Sequence, residues 1–211
     1  RLFTGRSLSI PAFLKRLPID LGQADQRYTT KGKKIALSLV PDGAGRTALD
    51  LGCREGRQSE WLKSKGYTVT SIDIEKVYEH AMVVDANDDL PFKEGSFELI
   101  WCSEVIEHLD DPAHLASEVD RLLKPGGKLV LTTPNSAFWF YPMAKLLTGK
   151  SPKDLQNPTH VHFFSESMIR EVFPHARLYG YFPYFLLRLT IRRCINALSP
   201  TFVVEHEKAT E

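Results

Sequence analysis

The sequence predicts an α/β fold with a seven-stranded, mostly parallel sheet covered by helices on both faces. Three observations predict it. Short apolar runs alternate along the chain with stretches of helical period. The run at Thr47 opens through two glycines directly into a helix-like stretch, in "TALDLGCREGRQSEWL". The runs are mostly continuous in apolar character, as strands buried on both faces are.

Taken in order, the first strand is Thr47 to Leu51, and the helix Arg57 to Lys65 follows it, closed by Gly66. The second strand is Tyr67 to Asp73, the third Ala81 to Asp85 and the fourth Glu98 to Cys102. A second helix starts after Asp111 with Pro112 in its first turn, and Gly126 and Gly127 follow its end. Leu115, Val119, Leu122 and Leu123 share one face of it, so that face is core. Lys128 to Thr133 is the fifth strand, and Ala176 to Phe182 and Thr201 to Glu205 complete the seven. No repeat, low-complexity tract or Pro/Gly linker divides the chain, which predicts one domain over residues 1–211.

A chain of 211 residues, 43% hydrophobic and 10% aromatic, is long enough to bury a sizeable core. Its 27 basic and 26 acidic side chains give a formal charge of +1, so composition offers no electrostatic case for a nucleic-acid partner. The three cysteines, Cys53, Cys102 and Cys194, form no CxxC pair, and an odd count fits a reducing, cytoplasmic setting. The longest apolar run, "AFWFYPMA" at 137–144, is too short to span a bilayer. No basic-then-apolar leader is legible, and an opening Arg1 leaves the natural start of the chain open.

In an open α/β sheet, ligands sit beyond the carboxyl ends of the strands. The first strand delivers Asp50, Gly52, Cys53, Arg54, Glu55 and Gly56 to that edge, and the second delivers Asp73 in "SIDIE". An acid at the second position can accept both hydroxyl hydrogens of a ribose. A pyrophosphate site needs glycine at the first, third and sixth turn positions, here Gly52, Arg54 and Arg57, so the dinucleotide reading fails at two of three. "GRQ" lacks the Lys-Ser/Thr of a P-loop. A nucleoside ligand without phosphates remains.

"ALDLGCREG", "SIDIE", "VVDANDDLPFKEGSFELIWCSEVIEHLDDP" and "LLKPGGKLVLTTPN", in this order over residues 46–135, resemble the class I S-adenosylmethionine (SAM)-dependent methyltransferases, especially the ubiquinone/menaquinone biosynthesis-like group. "HVHFFSESMIREVF" at 160–173 resembles a later segment of the same group. The resemblance implies a Rossmann-like three-layer sandwich with an antiparallel last strand, and SAM as cofactor. It assigns cofactor binding to Asp50, Gly52, Cys53, Gly56, Asp73 and Ile74. Asp85 would accept from the adenine amino group, with Ala86 and Asn87 beside the ring, although an Asx-bonded turn explains Asp85 as well. Cys102 and Ser103 would line the middle of the cofactor, Cys102 being a packing residue rather than a nucleophile. Tyr28, in "DQRYTTKGKK", would close over it or lie on the surface.

Arg54 stands where the family's turn has a glycine. One reading places its guanidinium beside the methionine carboxylate of the cofactor, and the other leaves it facing solvent. The implied reaction is in-line displacement at a sulfonium methyl, with a base needed only for a protonated acceptor. His160, His162 and His108 are the candidate bases, His160 first. His160 and His162, two apart on an extended stretch, would also suit a metal, but no third ligand has an obvious spacing, so no metal is expected.

The acceptor would be set by segments outside the shared core. Residues 136–165, which include the aromatic "SAFWFYPMAKLL", and residues 183–200 are expected to form acceptor-site or lid insertions, and residues 1–30 an N-terminal lid. In "FLLRLTIRRCINAL", Leu187, Ile191, Cys194 and Leu198 would share a helical face, with Arg188 and Arg192 elsewhere, and at the start Ile10, Phe13, Leu14 and Leu17 repeat the theme. Either could contact a membrane surface or a lipid-linked substrate. The leading expectation is methyl transfer to a small-molecule acceptor at oxygen, of natural-product, sugar or quinone-like type. A methyltransferase for protein or RNA, and a SAM-binding partner protein without catalysis, are the alternatives. No Asn-Pro-Pro-Tyr-type segment or basic stripe favours the macromolecular one.

Overall fold

The computed structural model describes residues 30–183 and 189–210. The proposed N-terminal lid, Tyr28, Leu187 and Arg188 lie outside these residues. The described chain runs α1 (Lys31–Ser38), β1 (Thr47–Leu51), α2 (Arg57–Ser64), β2 (Thr68–Asp73), β3 (Met82–Val83), β4 (Phe97–Ser103), a 3-10 turn (Ile106–His108), α3 (Pro112–Leu122), β5 (Leu123–Pro134), α4 (Phe140–Thr148), α5 (Pro152–Leu155), α6 (Glu166–Val172), β6 (Arg177–Tyr181), β7 (Thr190–Ile191), α7 (Ile195–Leu198) and β8 (Thr201–Glu207).

The strands join in the order β3-β2-β1-β4-β5-β8-β6-β7. The first five pair in parallel, β8 runs antiparallel to both β5 and β6, and β7 antiparallel to β6. Alternating side chains divide the core into two halves. Leu49, Leu51, Ile100, Cys102, Leu129 and Leu131 face α3 and α6, whereas Ala48, Leu99, Trp101 and Val130 pack with Ile35 and Ala36 of α1 and Leu62 of α2. This is the three-layer arrangement the sequence implied, with the antiparallel strand at the end of the chain.

Three details differ from expectation. Among the described residues the sheet has eight strands, because Gly180 and Tyr181 pair with Ile191 and Thr190 of β7. The helix expected across 185–198 is absent among the described residues: Ile191 belongs to that strand, Cys194 sits at φ 54, and only Ile195–Leu198 is helical. A left-handed residue interrupts a right-handed helix, so the proposed apolar face cannot form. Finally, the fifth strand starts at Leu123 rather than Lys128, so Gly126 and Gly127, which follow the end of α3 as expected, lie inside β5 where its register with β4 shifts. At the start of α3 the expectation holds: the Asp111 carboxylate accepts from the Ala113 and His114 N–H groups.

Candidate functional site

The carboxyl ends of β1, β2, β4 and β5 open on one edge of the sheet, and the strand order reverses between β1 and β4, where such sheets leave a crevice. The loop after β1 forms one wall. Gly52, Arg54 and Gly56 have φ values of 78, 43 and 73, so Arg54 holds the left-handed backbone of a glycine at a strain of about 1–2 kcal/mol. That conformation turns its N–H onto Asp73 Oδ2 at 2.8 Å, while the Glu75 N–H donates to Oδ1 at 3.1 Å. The Asp73 carboxylate is thereby fixed at the end of β2 with acceptor capacity to spare. The Arg54 side chain itself is exposed.

Two glycines are dictated by contact as well as conformation. A Cβ on Gly52 would lie 2.3 Å from Cγ2 of Val105, and one on Gly56 would lie 2.4 Å from the Tyr78 ring. Val105 and Tyr78 therefore hold the loop from the two sides. Ile74, next to Asp73, is 63% exposed, an apolar platform beside a fixed carboxylate.

Asp50 is turned inward. It is 1% exposed, accepts from Ser59 Oγ at 2.5 Å, and ties the first turn of α2 to β1. Burial raises its pKa to about 6, against the pull of the Ser59 hydrogen bond and the Lys33 charge. It shapes the loop from beneath. Cys53 and Cys102 are likewise buried: burial pushes the Cys53 thiol up to about 12 and the Cys102 thiol higher still, which leaves both inert.

The floor at the end of β4 holds a residue the sequence reading missed. Lys33, on the packed face of α1, donates from Nζ to Ser103 Oγ and lies 5.5 Å from the centroid of the Trp101 ring. Ser103 Oγ contacts Thr132 Oγ1 at 2.7 Å, and Thr132 Oγ1 donates to Glu104 Oε1 at 3.0 Å, so a polar chain crosses from α1 to β5. Burial lowers the Lys33 pKa, opposed by the charges of Glu104, Asp50 and Glu107. The legible signal was a lysine on the same stripe as Ala36 and Val40, at i, i+3 and i+7.

The third wall is the loop after β3. Asp85 Oδ1 accepts from the Asn87 backbone N–H at 2.9 Å and its side-chain amide at 3.0 Å, so the Asx-bonded turn is formed. Asn87 Oδ1 accepts from the Asp110 N–H at 2.8 Å, tying this loop to the one after β4. Ala86 is half-buried against the core.

The histidines divide. His108 and His160 stack edge to face with ring centroids 4.9 Å apart. His160 Nδ1 lies 3.2 Å from Gln156 Oε1 and its Nε2 lies 4.0 Å from Glu107 Oε1, so both nitrogens face protein groups. His108 Nδ1 lies 3.0 Å from the Thr159 carbonyl oxygen and 3.2 Å from Thr159 Oγ1; the carbonyl can only accept, which favours the proton on Nδ1 and leaves Nε2 as the unprotonated nitrogen of the half-exposed ring. His162 Nε2 turns instead to the Asp110 carbonyl at 3.2 Å, so the pairing of His160 with His162 does not occur. The partner of His160 is Glu107, which sequence spacing gave no means of finding. Glu107 is 1% exposed; its Oε2 accepts from Thr133 Oγ1 at 3.0 Å, and Oε1 has no hydrogen-bond donor among the described residues. Burial and the nearby Glu104 raise its pKa well above the usual carboxylate range. One ligand atom from each of Glu107, His108 and His160 falls within 4.8 Å of the others, a donor set compatible with a divalent cation.

Comparison with known proteins agrees with this geometry. The family described as a methyltransferase domain matches residues 23–178. A ubiquinone biosynthesis O-methyltransferase of Xanthomonas oryzae is 40% identical over 108 residues, covering 44% of this chain and 45% of that protein. One from Thiobacillus denitrificans is 32% identical over 131 residues, 56% of each. The chain thus spans about half the length of the curated relatives it matches. Among solved structures, a SAM-dependent methyltransferase from Archaeoglobus fulgidus aligns with a TM-score of 0.63 at 16% identity, over 94% of this chain and 100% of that one. One from Mesorhizobium loti aligns with a TM-score of 0.62 at 14% identity, over 85% and 99%. With most of its length matched and the Rossmann-like sheet in place, the chain belongs to the methyltransferase-domain family, as a class I member with the fold of the SAM-dependent enzymes.

Proposed function

We propose that the chain binds SAM in the crevice between the β1, β2, β3 and β4 loops and directs its methyl group to an oxygen of a small, quinone-like acceptor. The observation that carries the reading is the Asp73 carboxylate, locked by the Arg54 and Glu75 N–H groups beside exposed Ile74. The residues fit the cofactor: a carboxylate with free lone pairs suits two vicinal hydroxyls, and an apolar side chain next to it suits a purine face. When bound, SAM supplies a methyl carbon on a sulfonium that departs as a neutral thioether, so no acid is required.

The chain's own groups position and deprotonate. Asp73 accepts from the ribose hydroxyls, and Ser103, oriented by Lys33, fixes the floor beneath the reacting centre. His108, with Nδ1 engaged by the Thr159 carbonyl, takes the acceptor hydroxyl proton on Nε2, and His160 holds the His108 ring in place. The O-methyltransferases among the relatives favour oxygen and a quinone-like acceptor.

Calorimetry with SAM and with its demethylated product tests the binding step. Both are expected to bind, and Asp73→Asn is expected to weaken SAM about tenfold or more with the thermal transition retained. Labelled SAM mixed with size-fractionated extracts tests the acceptor. Label on low-molecular-mass material supports the proposal, and label confined to protein or RNA overturns it.

A further inference from the structure

A groove of about 330 Å³ lies where β5 leaves the sheet, lined by Ser136, Ala137, Tyr141, Pro142, Lys145 and Pro152. Its position matters because β5 is parallel to β4, so Ser136 emerges on the same edge as the crevice described above. A polar chain links the two places: Gln156 Nε2 donates to Ser136 Oγ at 3.1 Å, and Gln156 Oε1 meets His160 Nδ1 at 3.2 Å, which in turn stacks on His108. Most of the lining is apolar, and the one charged group, Lys145, is exposed and forms no ion pair with a carboxylate among the described residues. Helix geometry extends the apolar surface outward. Leu146 lies one turn beyond Pro142 on α4 and is 85% exposed, and its neighbour Leu147 is 74% exposed.

We infer that this groove binds an anionic amphiphile: the apolar body lies on Ala137, Tyr141, Pro142 and Pro152, an apolar chain runs out over Leu146, and Lys145 pairs with the anionic group. The charge of Lys145 selects an anion over a cation, and the leucines beyond it select a chain over a compact solute. The inference deepens the proposed function and rests on it for the claim that the bound amphiphile is the methyl acceptor; the occupancy of the groove stands independently.

The test uses dodecanoate carrying a diazirine in its chain, photolysed with the whole protein and mapped by peptide mass spectrometry. Label is expected within residues 136–152, reduced about tenfold by Ala137→Trp, which fills the groove, and about fivefold by Lys145→Glu, an exposed position that leaves folding intact. Diazirine-bearing dodecylamine is expected to label wild type several-fold less and the Lys145→Glu variant more. Label elsewhere, or label indifferent to both substitutions, overturns the inference. So does absence of label from a protein that instead floats with anionic liposomes, since that assigns the apolar surface to a membrane. A protein that takes the dodecanoate label but fails to bind SAM in calorimetry leaves the groove standing and sinks the methyl-transfer reading. One that binds SAM without the label does the reverse.

Discussion

At the scale of the residue, backbone conformation decides what Arg54 does. Its φ of 43 reproduces the turn a glycine would make, and its contribution to Asp73 is an N–H, which every residue but proline owns. Arg54→Gly is therefore expected to leave SAM affinity within about threefold; removal of strain worth about 1–2 kcal/mol is offset in part by the larger unfolded-state entropy of glycine. A tenfold loss of affinity in calorimetry would instead place the guanidinium on the methionine carboxylate. Gly52→Ala is expected to be damaging, because the added methyl meets Val105 at 2.3 Å, and the thermal transition reports a loss on the order of 1–3 kcal/mol. Asp50 makes stability depend on pH. Its folded pKa of about 6 lies above the ordinary 3.8, so protonation favours the folded state. Its contribution is fully present below about 3.8 and is lost as pH rises through about 6, a change on the order of 2–3 kcal/mol. Urea titrations across that window should show the slope flatten in Asp50→Asn.

At the scale of the element, caps and glycines behave as local chemistry requires, while short strands and interrupted helices answer to their neighbours. Asp111 closes the first turn of α3 with two hydrogen bonds to backbone N–H groups, so Asp111→Ala is expected to cost about 0.5–2 kcal/mol, read as a lower melting temperature. α3 was legible because its apolar face, its cap and its Pro112 all agree. The stretch at 190–198 was misread because apolar spacing alone cannot distinguish a helix from a two-residue strand plus a short helix. Thr190 and Ile191 are recruited by the free edge of β6, a partner remote enough that local pattern carries no trace of it.

At the scale of the whole molecule, the three cysteines differ in access to solvent. Cys53, in the loop after β1, and Cys102, in β4, are buried, and Cys194 is exposed. A thiol reagent such as dithiobisnitrobenzoate is expected to modify one thiol quickly in the native protein and all three in denaturant, and rapid native reaction of two or three would contradict the packing of β1 and β4. Among the described residues, no helix is long and apolar enough to cross a membrane. The amphipathic surface that emerges is α4, with Leu146 and Leu147 outward, rather than the C-terminal stretch that the sequence suggested.

The sequence by itself determined the α/β class, the parallel strands and the place of Asp73 at the end of β2, because strand burial, helix period and turn glycines are encoded within a few neighbouring residues. Only the tertiary structure decided that Glu107 meets His160, that Lys33 lies under Ser103 and that Asp50 faces inward. These pairings join residues 9 to 70 positions apart, and their energetics depend on burial. Water is excluded by packing from several elements at once, so no local pattern announces which ionisable groups will lose it.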